Sequence, residues 1–239
     1  MQLCIDAGNT LIKYALFKQR KLVHKSVSNE FDLLLIQSLI AKYKPTTAIV
    51  SSVRPINKTW LKALKQALPV LLLTHKTPLP IQLDYKTPET LGRDRIAVAV
   101  AGFSKYPKQN TLIINAGTCI TFDIINEKGV YKGGAIAPGI EMRYQAMNHF
   151  TAKLPYVTKR APVRITGKST NESLNAGVLN HVCFEIAGAI QFYSTHYKKL
   201  HVLLTGGDSS FLAKRLKNSI FAAPDLVLTG LNEILLHNA

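Results

Sequence analysis

The run IDAGNTLIKYALF, residues 5–17, is an apolar strand ending in an acid, then Ala-Gly, small polar residues and a second apolar strand. Glycine supplies the backbone freedom a tight turn needs, so the run reads as a β-hairpin joined at Gly8-Asn9. INAGTCITFDII, residues 114–125, repeats the pattern, with Asn115 where the first run has Asp6. Two halves that each open on the same hairpin suggest a duplicated α/β domain, although glycine turns follow apolar strands in many folds.

Outward from the first hairpin the chain alternates helix and strand. In FDLLLIQSLIAKY (31–43), Leu34, Ile36, Leu39 and Ile40 fall near helical spacing. TAIVSSV (47–53) is a short buried strand, and NKTWLKALKQAL (57–68) is an amphipathic helix on Trp60, Leu61, Leu64 and Leu68. VLLLT (70–74) is another buried strand, while PLPIQLDY (78–85) is held extended by its prolines. GRDRIAVAVAGFSKY (92–106) predicts a helix from about Arg93. Beyond the second hairpin and GGAIAPG (133–139), residues 140–154 and 171–197 read as helices. Residues 201–216 read as strand, Gly-Gly turn and helix; a short strand near LVLTG (226–230) and a tail helix LNEILL (231–236) follow. KYPKQN (105–110) is the best boundary, which gives domains at 1–108 and 109–239.

Composition narrows the function classes. With 47% hydrophobic and 18% charged residues among 239, the chain is ordinary globular material. No apolar run reaches the roughly 18–20 residues that span a bilayer, and the start lacks a basic segment before an apolar signal core. Cys4, Cys119 and Cys183 are too far apart for a zinc site and read as reduced packing residues of a cytosolic protein. The net charge of +16 is unusual, but its basic stretches at 18–21, 159–164 and 213–217 are short, scattered and free of stacking aromatics. A solvated basic surface that attracts anionic substrates explains it without a nucleic-acid partner.

A glycine-rich hairpin turn presents backbone N–H groups, and such nests hold phosphate oxygens. Gly8 and Gly117 let an anion approach the main chain; Asn9, Thr10 and Thr118 add donors, and Lys13 adds a positive charge. Asp6 is suited to hold a hydrated Mg²⁺ carried by a nucleotide. The plain structural alternative is that Asp6 and Asn9 only build a hairpin. In GRDR (92–95), Asp94 stands between two arginines at a helix start. Either it caps the helix, or it accepts the proton of a substrate hydroxyl, as phosphoryl transfer requires, with the neighbouring guanidinium groups favouring its ionised form.

DAGNT (6–10), GRDR (92–95), NAGTCITFD (115–123) and GGAIAPG (133–139), in that order, strongly resemble type III pantothenate kinase, of the acetate and sugar kinase/Hsp70/actin superfamily. TAKLP (151–155), GKST (167–170) and LTGG (204–207) extend the likeness over nearly the whole chain. The resemblance implies an α/β protein of two ribonuclease-H-like (actin-like ATPase) domains with a nucleotide cleft between them. It implies a cytoplasmic homodimer that phosphorylates pantothenate from ATP with Mg²⁺, the first step towards coenzyme A, without membrane or nucleic-acid partners.

Carried over by motif, Asp6, Ala7, Gly8, Asn9, Thr10, Leu11, Ile12 and Lys13 contact the ATP phosphates, and Thr118 contributes from the second turn. Tyr85, Gly92, Arg93, Asp94 and Arg95 lie against pantothenate, with Asp94 as the catalytic proton acceptor; Thr170 reaches the pocket from the partner subunit. The family also uses potassium or ammonium, bound by an aspartate where this chain has Asn115, so that the cation is in doubt. Another small-molecule kinase of the superfamily, or a transcription accessory or nucleic-acid-binding protein, is the alternative.

Overall fold

The first hairpin lies at the centre of a five-stranded sheet, and the second occupies the same place in a sheet of its own. The computed structural model describes residues 1–158, 164–216 and 220–239. Two units are distinguished: Met1–Lys108 with Glu127–Gly133 and Asp225–Ala239, and Gln109–Asn126 with Gly134–Pro224.

In the first unit β1 (Gln2–Ala7) pairs antiparallel with β2 (Ile12–Lys18) and parallel with β4 (Thr47–Ser52). The antiparallel β3 (Lys21–Ser28) and the parallel β5 (Val70–Leu72) complete the order β3-β2-β1-β4-β5. The strand β3 carries no periodic apolar signal in the sequence; it is a lysine-bearing edge, which discourages pairing with other chains. Helices α1 (Leu33–Tyr43) and α2 (Lys58–Ala67) start where the Asp32 and Asn57 side chains accept from the backbone N–H of Leu35 and Trp60. They cover one sheet face, where Leu3, Ile5, Tyr14, Val50, Ile36, Leu39, Trp60 and Leu64 form a core. Leu34, expected on that face, is instead 79% exposed, because the stripe of α1 runs through Ile36 and Leu39.

On β1 the other face belongs to α8 (Leu226–His237), against which α3 (Arg93–Lys105) packs. The expected strand near LVLTG is the first half of α8. A short apolar run fits a buried strand and a buried helix equally, and only burial on nearly every side of α8 distinguishes them. Gly230 lies so close to the Ala97 backbone of α3 that no Cβ fits between the helices. Arg20, in the β2–β3 turn, makes a two-pronged ion pair with Glu233, at 2.8 and 3.0 Å, and Lys25 pairs with Asp225. Asn232 donates to the Gln19 carbonyl. The Cys4 thiol also faces Asn232, and burial pushes it well above the usual thiol range, as suits a packing residue. The short β6 (Gln82–Leu83) pairs with the first residues of β9 (Val130–Pro138).

The second unit repeats the strand order. β7 (Thr111–Ala116) pairs antiparallel with β8 (Cys119–Ile125) and parallel with β10 (His201–Thr205). With β9, β11 (Phe221–Ala222) and the edge strand β6 the six-stranded sheet runs β11-β10-β7-β8-β9-β6, and its first five strands match the other sheet. One face packs Leu112, Ile114, Phe122 and Ile124 against α4 (Ile140–Phe150) and α6 (His181–His196). The stretch 171–197 is α5 (Thr170–Asn175), a π-turn at Ala176–Asn180 and α6 rather than one regular helix. The loop after β10 leads into the short α7 (Ser209–Ala213). Of the basic stretches noted above, residues 159–163 and 217 lie outside the described residues. No helix among the described residues is long and apolar enough to cross a membrane.

Candidate active site

The first turn is closed by a bond from the Gly8 N–H to the Leu11 carbonyl at 3.0 Å, leaving Asn9, Thr10 and Leu11 exposed. Asp6 precedes it on β1. Its register partners are Lys13 on β2 and Ser51 on β4, so all three side chains share the sheet face towards α8. Asp6 is 7% exposed. Burial pushes its carboxyl up to about 6, with the Lys13 ammonium opposing the rise and the Asp94 carboxylate adding to it. The structure thus brings Lys13 and Asp94 within electrostatic reach of Asp6 inside a single unit.

Asp94 lies in the first turn of α3, where the helix dipole favours a negative charge, and its Oδ1 accepts from the Arg95 N–H at 2.9 Å. The residue at the N-cap is Gly92, whose missing side chain leaves room for that carboxylate. Arg93 is turned to the preceding loop. Successive helical residues point about 100° apart. Arg93 donates to the Leu91 carbonyl at 2.6 Å and the Glu89 carbonyl at 3.3 Å, tying down the preceding loop, while Arg95 is buried. Tyr85 packs tilted on Tyr131 at 6.0 Å between centroids, beside Gly133, and Asp84 pairs with Lys132.

In the second unit the ladder puts Asn115 where Asp6 stands in the first, with Thr121 and Thr205 as its register partners. The Gly117 N–H donates to the Cys119 carbonyl at 2.9 Å, and Thr118 is exposed at the tip. Two loops hold this turn by their main chains. Gly139 donates to the Thr118 carbonyl at 3.1 Å, and the Asp208 N–H donates to the Ala116 carbonyl at 3.0 Å. Gly139 lies against Gly117 and Thr118, and Gly206 (φ +93°) against Ala116, both too closely for a Cβ. GGAIAPG and LTGG are therefore what lets two loops close on the turn. Thr170, at the exposed start of α5, follows Ser169, whose hydroxyl accepts from the Glu172 N–H while Glu172 reaches back to the Lys168 N–H.

Sequence reasoning missed Ser51. It carries no motif; the available signal was a buried hydroxyl following the apolar run Ala48, Ile49 and Val50 of β4. Among the described residues no group of three or more His, Cys, Asp or Glu side chains is gathered for a metal. A single buried carboxyl beside a glycine turn nonetheless suits Mg²⁺, which is bound through one or two carboxylates plus substrate phosphates.

Two sheets that share a five-strand order, one carrying a carboxyl near the end of its first strand, form a nucleotide kinase fold of the actin-like ATPase type. Solved structures share it. A conserved Campylobacter jejuni protein assigned to the Baf family of transcriptional activators is 23% identical with a TM-score of 0.66, covering 99% of this chain and 98% of that one. An inorganic polyphosphate/ATP-glucomannokinase from an Arthrobacter strain is 15% identical with a TM-score of 0.52, covering 99% and 98%. The profile of the type III pantothenate kinase family matches residues 2–191, and the type III pantothenate kinase of Cytophaga hutchinsonii is 46% identical over 239 residues, all of both chains. The chain belongs to the type III pantothenate kinase family.

Proposed function

We propose that this chain transfers the γ-phosphoryl group of ATP to the primary hydroxyl of pantothenate, giving 4′-phosphopantothenate for coenzyme A synthesis in the cytoplasm. The observation that carries this reading is the meeting of Asp6, Lys13 and Asp94 at the first turn, in a chain that matches the family from end to end. Asp94 takes the proton of the attacking hydroxyl and so directs it in line. The turn from Asp6 to Lys13 binds the phosphates through its backbone N–H groups and the Lys13 ammonium. Asp6 holds the hydrated Mg²⁺, which neutralises phosphate charge when bound. Thr118 adds a phosphate contact, and Tyr85, Gly92, Arg93 and Arg95 shape the pantothenate site.

Asn115 offers a carbonyl oxygen beside two threonines but no charge, so potassium or ammonium binds weakly there at best. A homodimer brings Thr170 to the partner's site. The exposed face of α6 supports it: Phe184 and Phe192 are 54% and 62% exposed, and the space beside Gly177 and Gly188 is open. Of the small residues in this stretch Ala176 belongs to the core instead. The test is ATP-dependent phosphorylation of pantothenate by the purified protein, with other hydroxyl acceptors alongside. Phosphopantothenate is the expected product; turnover of a sugar or acetate but not pantothenate overturns the assignment.

A further inference from the structure

Ser51 is fully buried one residue before the end of β4, and its hydroxyl has no hydrogen-bond partner. An orphaned buried donor costs the fold the desolvation of that group, and native structures rarely keep one without a use. The rest of the strand is what a buried strand should be, with Ala48, Ile49 and Val50 before it. Ser51 is in direct register with Asp6, on the same face of the sheet, which puts the two Cβ atoms roughly 5 Å apart. The influences on the Asp6 carboxyl are burial, Lys13 and Asp94, with no hydrogen bond among them. A donor without an acceptor thus stands beside a carboxyl without a donor.

The second unit also has a hydroxyl at this ladder position, although there it is not a fully buried hydroxyl left without a partner. Thr205 stands beside Asn115 in the equivalent pairing of β10 with β7. The strands differ at the three preceding positions, Ala48, Ile49 and Val50 against Val202, Leu203 and Leu204, and share a hydroxyl only here.

We propose that Ser51 is a positioning residue whose hydroxyl donates to the Asp6 carboxylate when the nucleotide and its cation are bound, fixing the orientation of that carboxylate. The inference rests on the assignment of Asp6 to the nucleotide's cation, and not on pantothenate as acceptor.

The test uses Ser51→Ala and the isosteric pair Ser51→Thr and Ser51→Val, with Mn²⁺ in place of Mg²⁺. Binding of Mn²⁺–ATP is followed by the electron paramagnetic resonance of free Mn²⁺, without pantothenate, and the Tm of the ligand-free proteins is measured in parallel. The Ala and Val variants are expected to bind Mn²⁺–ATP about tenfold more weakly, the loss of one charge-assisted hydrogen bond, and Thr to retain binding. Ser51→Ala should melt no lower than the wild type, since it removes an unsatisfied group. Wild-type affinity in Ser51→Val overturns the proposal, as does equal weakening in Thr and Val with lowered Tm, which marks a packing role. Wild-type protein that binds Mn²⁺–ATP but does not phosphorylate pantothenate refutes the substrate and leaves Ser51 standing; wild-type protein that binds no Mn²⁺–ATP overturns both readings.

Discussion

Asp94, on the first turn of α3, lies near enough to Asp6, at the end of β1, for its charge to act on the Asp6 carboxyl. Burial is the larger influence, and together they hold that carboxyl at about 6 against the partial opposition of Lys13. Two acids that repel each other fit the proposed division of labour, Asp6 for the cation and Asp94 for the proton, and the two roles are separable by mutation.

Replacing Asp94 by asparagine keeps the size and the helix-start hydrogen bond but removes the proton acceptor. General-base groups contribute about 10²–10⁴-fold, so kcat with pantothenate should fall by that order with the Tm unchanged. A variant with wild-type kcat in a coupled ATP assay would refute the assignment.

Asp6 predicts a pH dependence of stability whose sign follows from its raised value. A carboxyl whose folded-state value exceeds its unfolded one contributes stability below the unfolded value, near 3.8, and loses it as pH rises through about 6. At pH 7.5 the ionised group costs the ligand-free protein on the order of 3 kcal/mol. Asp6→Asn should therefore be more stable than the wild type in urea at pH 7.5, with the difference vanishing below pH 4, while ATP turnover is lost. An equal difference at both pH values would show that burial of this carboxylate is not the cause.

Gly206 and its neighbour Gly207 form a matched pair. Gly206 has φ +93° and abuts the Ala116 main chain, whereas nothing lies within 4 Å of a Cβ built on Gly207. Gly206→Ala should cost about 1–3 kcal/mol and raise the KM for ATP by displacing the second turn. Gly207→Ala should stay within about 0.5 kcal/mol of the wild type. Denaturation curves and ATP titrations of the two variants decide it.

Asn115 makes the potassium requirement testable. A carboxylate there adds a charge pair worth on the order of 4 kcal/mol before desolvation, at about 4 Å and an effective dielectric near 20. Asn115→Asp should reach half-maximal stimulation at a lower potassium concentration than the wild type. Identical potassium curves would remove Asn115 from the cation site.

Both hairpins, the start of α3 at Arg93 and the inward faces of α2 were legible in the chain alone. Each is written in neighbouring residues: glycine in a turn, apolar side chains at strand or helix period, a break before an apolar run. Three things were not. LVLTG became helix because it is buried on nearly every side against α3 and β1, which no five-residue window records. Arg93 turned to the preceding loop because the carbonyls of Glu89 and Leu91 accept its guanidinium. Asp6, Asp94 and Ser51 are separated along the chain, and only the pairing of β1 with β4 and the seating of α3 bring them to one face. Local conformation follows from short-range sterics and periodicity; the electrostatic neighbourhood of a carboxyl is made by long-range contacts and so belongs to the tertiary structure.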